Sequence, residues 1–118
     1  MTLTRDFRET AQQRASRDPE FRAGLYQEAV QTMLEGDFAA GRILLRDFIN
    51  ATIGFTALAG RVGLSDKSLM RMFGPTGNPH AANLLAVLRA LGNDYKLNVF
   101  VEPKPAKKQR NSTPRLAA

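Results

Sequence analysis

The stretch "FTALAGRVGLSDKSLMRMF", residues 55–73, decides the fold. Its first apolar residues have the i, i+3, i+4, i+7 spacing of one helical face, namely Phe55, Leu58, Ala59 and Val62. Gly63 then predicts a tight turn, because glycine alone enters left-handed backbone conformations without a Cβ clash. Ser65 predicts the N-cap of a second helix that buries Leu69, Met72 and Phe73. Two short helices joined in this way indicate a helix-turn-helix.

The second helix of this pair is expected to contact DNA. At about 100° per residue, Lys67 and Arg71 point away from Leu69, and such a helix enters the major groove with its first turns. Arg71 suits a bidentate contact with guanine O6 and N7, and Lys67 suits guanine or phosphate. The predicted base-reading residues are Asp66, Lys67, Ser68, Met70 and Arg71. The same pattern also describes a solvated helix, and that alternative stays open.

Phosphate contacts are expected at both ends of this helix. Ser65 and the backbone amides beside it suit a phosphate oxygen. The following loop "GPTGNPH", residues 74–80, is dense in turn-forming residues and contains Thr76, Asn78 and His80 as further phosphate ligands. "GPTG" also has the GxxG spacing of a KH-type RNA-binding loop, but that fold needs flanking strands and the neighbours here are helical.

The segments before residue 55 predict a helical hairpin over 18–53. "RDPEF", residues 17–21, gives Asp18 as N-cap and Pro19 at the first helical position. Gly36 ends this helix and Asp37 caps the next. Residues 1–17 are polar and are interpreted as a loose arm or a weak helix.

The helix-turn-helix core is expected to span residues 54–92. A strand is expected within residues 93–102. A helix is expected from Ala81 to Leu91, with Leu85 on its buried face, and Gly92 is expected to stop it. "YKLNVFVE", residues 95–102, alternates apolar and polar positions and predicts a strand. A strand without an intramolecular mate favours pairing with a second copy. The dimerisation residues would be Leu97, Val99 and Val101.

The net charge of +6 comes mostly from the end of the chain. Five cations and no acid follow Glu102, which leaves twelve cations against eleven acids in residues 1–102. Residues 54–92 carry four cations and one acid. The basic tail, 103–118, is expected to be disordered, and either adds sequence-independent affinity for DNA or only increases solubility.

Composition excludes several classes of protein. The chain has no cysteine, so disulfides and thiolate metal sites are excluded. No N-terminal apolar stretch resembles a signal peptide, and the expected location is the cytoplasm. The sequence contains no activated nucleophile, no set of metal ligands and no cofactor-binding loop. We therefore expect no catalytic activity, no bound metal and no cofactor.

Three stretches resemble the HigA-like, Xre-type antitoxins of the addiction module antidote group. They are "ALAGRVGLSDKSLMRMFGPTGNP" (57–79), "LLRDFINATIGFTALA" (44–59) and, most distinctively, "KSLMRMFGPTGNP" (67–79). The resemblance covers about residues 4–102. It implies an all-α, lambda-repressor-like domain that binds its own operator as a dimer, with Lys67, Ser68 and Arg71 in the recognition helix.

The resemblance also implies neutralisation of a co-encoded RelE/ParE-type, HigB-like toxin. Related repressors often place a glutamine at the start of the first motif helix, where it holds a phosphate. This chain has Phe55 there, so Thr56 or a backbone amide is expected to make that contact. Two alternatives stay open: a stand-alone Xre-type regulator without a toxin, and a partner-binding protein in which the helix pair is only a scaffold.

Overall fold

Six helices follow one another along residues 10–105, the part of the chain that the structure, a computed structural model, describes. They are α1 (Ala11–Arg17), α2 (Pro19–Leu34), α3 (Phe38–Ala51), α4 (Phe55–Val62), α5 (Asp66–Met72) and α6 (Ala81–Tyr95). No strand occurs within this range. The predicted all-α class is therefore confirmed for residues 10–105. The first nine residues of the predicted arm and most of the predicted tail, 106–118, lie outside the described residues.

Helices α2 and α3 begin and end where their capping residues predict. The Asp18 carboxylate accepts hydrogen bonds from the amides of Glu20 and Phe21, both at 3.1 Å. The bond from Phe21 is the largest influence that lowers the pKa of Asp18 below its usual value. This cap therefore stabilises the fold above the ordinary pKa of the carboxyl and is lost as pH falls through the lowered one. Gly36 has a φ of 101° after α2, and Asp37 caps α3.

Residues 11–17, which the sequence leaves as part of a loose arm or a weak helix, form the helix α1. A capping box closes its start, because the Thr10 and Gln13 side chains each bond the other's backbone amide at 3.0 Å. Ala15 is fully buried, and its carbonyl accepts a 2.9 Å hydrogen bond from the Arg22 guanidinium. The helix is thus part of the packed structure.

Helix α3 lies at the centre and contacts α1, α2 and α4. Leu45, Phe48 and Ile49 on this helix are fully buried, as its wide apolar arc predicts. The Phe48 ring lies between two tyrosines, with ring centroids 5.4 Å from Tyr26 of α2 and 5.7 Å from Tyr95 of α6. These aromatic contacts join the hairpin to the last helix.

A short turn at Gly63 joins α4 to α5. Gly63 has φ 76° and ψ 29°, which is the left-handed region. Ser65 caps α5 by accepting a 3.1 Å hydrogen bond from the Ser68 amide. Of the residues expected to face inward, Phe55 and Val62 are half-buried, and the others are buried, namely Leu58, Ala59, Leu69, Met72 and Phe73. Both helices therefore have the buried faces that their apolar spacing predicts.

Helix α6 and the segment after it correct three sequence predictions. Gly92 does not stop the helix, which continues to Tyr95, and the strand predicted over residues 95–102 is absent, since Tyr95 is helical, Lys96 makes a turn and residues 97–102 have no regular secondary structure. Lys96, with φ 57° and ψ 51°, makes the turn instead, and its amide bonds the Gly92 carbonyl. Gly92 is needed within the helix because a Cβ there would lie 3.3 Å from both the Leu97 carbonyl and the Tyr26 hydroxyl. Leu85, expected to be buried, is 62% exposed because Val87 and Leu91 face the core instead.

Among residues 10–105, no single helix is both long and apolar enough to cross a membrane. Helices α3 and α4 reach that length and composition only when taken together across the 101° bend between them.

Gly41 sets the distance between α2 and α3, and its replacement is expected to destabilise the protein. A Cβ at this position would lie 2.9 Å from the Ala29 carbonyl oxygen and would collide with the Met33 side chain. Gly41→Ala should therefore lower the free energy of unfolding by about 1–3 kcal/mol, as overpacking does. Urea denaturation followed by circular dichroism measures the change.

Gly24→Ala is the matched control, because Gly24 lies exposed on α2 and a Cβ there would have nothing within 4 Å. Alanine should raise stability there by about 0.5–1 kcal/mol, through its better helix propensity. Equal effects at the two positions would show that the α2–α3 packing does not depend on Gly41.

Candidate nucleic-acid interface

A surface groove of about 230 Å³ lies between α5, the loop 74–80 and the first turn of α6. It is lined by Ser68, Arg71, Met72, Thr76, Gly77, Asn78, Pro79, His80 and Asn83. Five of these residues are ones that the sequence predicts to contact DNA: Ser68, Arg71, Thr76, Asn78 and His80. No lining residue is acidic, and Arg71 carries the only permanent charge among them. The groove therefore suits an anionic group that accepts hydrogen bonds.

The loop wall of this groove folds tightly against the end of α5. The Gly74 amide donates to the Arg71 carbonyl at 3.1 Å, and the Gly77 amide donates to the Gly74 carbonyl at 3.0 Å. A Cβ on Gly77 would collide with the carbonyl oxygens of Arg71 and Met72. Only glycine allows this close backbone approach, which places Thr76 and Asn78 beside Arg71.

Phe73 fixes the end of α5 from inside the protein. Its side chain is fully buried, and its ring centroid lies 5.9 Å from that of Phe55 on α4. Its carbonyl oxygen accepts hydrogen bonds from two guanidinium groups of α3, at 3.1 Å from Arg42 and 3.5 Å from Arg46. This role of the two arginines was not predicted, since nothing in their local pattern indicates a contact about thirty residues away.

Four predicted contact residues bond within the protein at the start of α5. The Thr56 hydroxyl donates to the Asp66 carboxylate at 2.9 Å, which ties the first turns of α4 and α5 together. The Ser65 hydroxyl, besides capping the helix, donates to the Ser68 hydroxyl at 3.0 Å. Thr56, Ser65 and Asp66 do not line the groove. These three residues therefore make contacts within the protein and do not contribute to the groove.

The remaining predicted residues divide between two surfaces. Lys67 and Met70 are exposed on α5 beside the groove but do not line it, and Met70 is 51% exposed. The predicted dimerisation residues lie elsewhere, after the end of α6. Leu97 packs partly buried against the protein's own core, whereas Val101 is 93% exposed. The predicted DNA-contact residues and the predicted dimerisation residues therefore lie on separate surfaces.

Asn83 is a lining residue that was not predicted from the sequence. It follows His80 by three positions, at the start of α6. Residues three apart at a helix start share a side, so this spacing was the available signal. His80 is the N-cap of α6, makes no side-chain capping bond and lines the groove.

Within the described part of the chain, no three histidine, aspartate or glutamate side chains gather as a metal site. Comparison of the chain with known protein families, curated proteins and solved structures gave no match.

Gly77→Ala is expected to distort the groove, because its Cβ would collide with two backbone carbonyl oxygens of α5, which cannot swing away as a flexible side chain can. The substitution should cost about 1–3 kcal/mol of stability and shift the amide NMR signals of residues 71–80. Thermal unfolding and a two-dimensional amide NMR spectrum measure both effects.

Gly74→Ala is the control in the same loop, since its nearest backbone oxygen would lie at an ordinary 3.5 Å. It should leave stability and the signals of residues 76–80 close to wild type. If Gly77→Ala were as mild as Gly74→Ala, the groove wall would not depend on that backbone approach.

Proposed function

We propose that this protein binds double-stranded DNA sequence-specifically, with α5, including Arg71, at the base edges and the loop side of the groove at the phosphates. One observation supports this above the others: Arg71 lies together with Thr76, Asn78 and His80 in a groove without an acidic residue. A helix face that only contacts solvent does not require a loop that brings hydrogen-bonding side chains beside Arg71, and here Gly77 allows the loop to do so.

The chemistry of these groups matches the two kinds of contact that DNA recognition requires. The guanidinium of Arg71 has paired donors that match guanine O6 and N7, or two oxygens of a phosphate. Thr76 and Asn78 supply uncharged donors that fix a phosphate without adding charge. Met70 and Lys67 lie on the exposed side of α5, where a thymine methyl group and a further phosphate or guanine are their natural partners.

The finer proposal is an antitoxin that represses its own operon in the cytoplasm. Its support is the resemblance of residues 57–79 to HigA-like antitoxins, with the short α4–Gly63–α5 arrangement consistent with the helix-turn-helix of a lambda-repressor-like domain. In this role the protein binds its own operator, represses transcription of its operon and neutralises a RelE/ParE-type toxin. A stand-alone regulator would share the DNA-binding surface and lack the toxin.

Arg71→Ala is expected to weaken binding to DNA from upstream of the protein's own gene by about 1–3 kcal/mol, because a bidentate base contact is lost. Binding to a scrambled duplex should change much less. A fluorescence anisotropy titration at near-physiological salt measures both affinities, and this salt level suppresses nonspecific binding by the basic tail.

Arg89→Ala is the matched control, because Arg89 is exposed on α6, outside the groove, and its loss removes the same charge. This substitution should leave the ratio of specific to nonspecific affinity unchanged. Wild-type operator binding by Arg71→Ala, or equal losses in the two variants, would contradict the assignment of α5 as the reading helix.

The antitoxin role is tested by co-expression with the product of the neighbouring gene. We expect a small basic protein whose toxicity is relieved by this chain and which co-purifies with it. Arg71→Ala should relieve toxicity as the wild type does, because Arg71 is proposed to contact DNA and not the toxin. Operator binding without any toxic neighbour would leave a stand-alone regulator.

A further inference from the structure

Two arginine side chains of α3 converge on one carbonyl oxygen at the end of α5. Arg42 donates to the Phe73 carbonyl at 3.1 Å, and Arg46 donates to the same oxygen at 3.5 Å. The two arginines are four residues apart, so their side chains leave the same face of α3. Because both reach a single oxygen atom, their positive charges lie side by side.

The Phe73 carbonyl does not account for both charges. One charged donor at 3.1 Å already satisfies this oxygen, and the nitrogen of Arg46, at 3.5 Å, lies beyond the usual length of such a bond. Within residues 10–105, neither Arg42 nor Arg46 forms an ion pair or another hydrogen bond. Like charges in this arrangement repel each other, and an anion between them would remove the repulsion.

Both guanidinium groups have donors left for such an anion. Each carries five N–H groups in a planar fork, and only one nitrogen of each is directed to Phe73. Arg42 and Arg46 are half-buried, so they are not enclosed by the protein. A phosphate group has several oxygens and matches the guanidinium fork, so it can accept from both arginines at once. The pair therefore has the chemistry of a phosphate site.

The charges on the neighbouring elements also favour an anion. The one acidic residue of α5, Asp66, lies in its first turn, at the other end of the helix, and accepts from Thr56. The loop 74–80 contains no acidic residue. Within α3 the one acid is Asp47, which directly follows Arg46 and therefore lies about 100° round the helix from it. No carboxylate thus competes for the two arginines.

We propose that Arg42 and Arg46 together bind one phosphate group, and that on bound DNA this is a backbone phosphate at the border of the major groove. A helix of seven residues such as α5 is about 10 Å long, and the major groove is about 12 Å wide. With the first turns of α5 at the base edges, Phe73 lies near one border of the groove. The site itself does not depend on DNA binding; its assignment to a DNA phosphate rests on the proposed function.

A titration of the full chain with inorganic phosphate, without DNA, tests the site. The NMR signals of the Nε–H groups of Arg42 and Arg46 should shift to saturation, whereas sodium chloride at the same ionic strength should give no saturation. Arg89 is the internal control, because it is exposed on α6 and forms no ion pair within the described residues. Unsaturated shifts at the pair, or equal saturation at Arg89, would overturn the site.

The salt dependence of DNA binding tests the occupant. Arg46→Gln keeps the shorter bond from Arg42 to Phe73, so circular dichroism and thermal unfolding should stay close to wild type. On the operator and on a scrambled duplex alike, this variant should lower the slope of log affinity against log salt by about 0.9, because one phosphate contact is lost. Arg46→Lys should restore the slope, and Arg89→Gln should leave it unchanged.

The two experiments separate the site from its occupant. Phosphate saturation with an unchanged salt slope in Arg46→Gln would leave the site to a free phosphate compound and overturn its assignment to DNA. A lowered slope that Arg46→Lys does not restore would show that Arg46 only supports α5, which would also overturn that assignment. If neither duplex is bound, the proposed function fails, while the phosphate titration still decides the site.

Discussion

The arrangement of the groove depends on how Phe73 is held at the end of α5. Its ring is buried against Phe55, and its carbonyl oxygen accepts from the two arginines of α3. A helix of seven residues has little stability of its own, since helix nucleation is costly. The ring packed against α4 and the charged hydrogen bonds from α3 of the hairpin provide that stability. The groove is therefore built on the hairpin as much as on α5.

Local signals in the sequence were enough to predict the helix boundaries between residues 18 and 73. Asp18, Gly36, Asp37, Gly63 and Ser65 each act on the backbone within a few residues, so their effect can be read from the chain alone. The contacts that complete the candidate site are not local. The bonds from Arg42 and Arg46 to Phe73 cross about thirty residues, and no spacing rule predicts which carbonyl an arginine will reach.

The sequence at the end of α6 fits two periodicities, the alternation of a strand and the four-residue spacing of a helical face. Tyr95 stands at the start of an alternating run, but it also follows Leu91 by four residues on the same helical face. Packing decides between them, because Tyr95 meets Phe48 and the Tyr26 hydroxyl donates a 2.6 Å hydrogen bond to the Leu88 carbonyl. Burial also raises the pKa of Tyr26, so this donor keeps its proton at neutral pH. The helix therefore continues past Gly92.

Helix α6 begins at the groove and ends about 20 Å away, beside the exposed residues 98–102. The ion pair between Arg61 of α4 and Asp94 of α6 holds the far end of this helix to the helix pair. The helix pair and α6 therefore contact each other near the end of α6 that is remote from the groove.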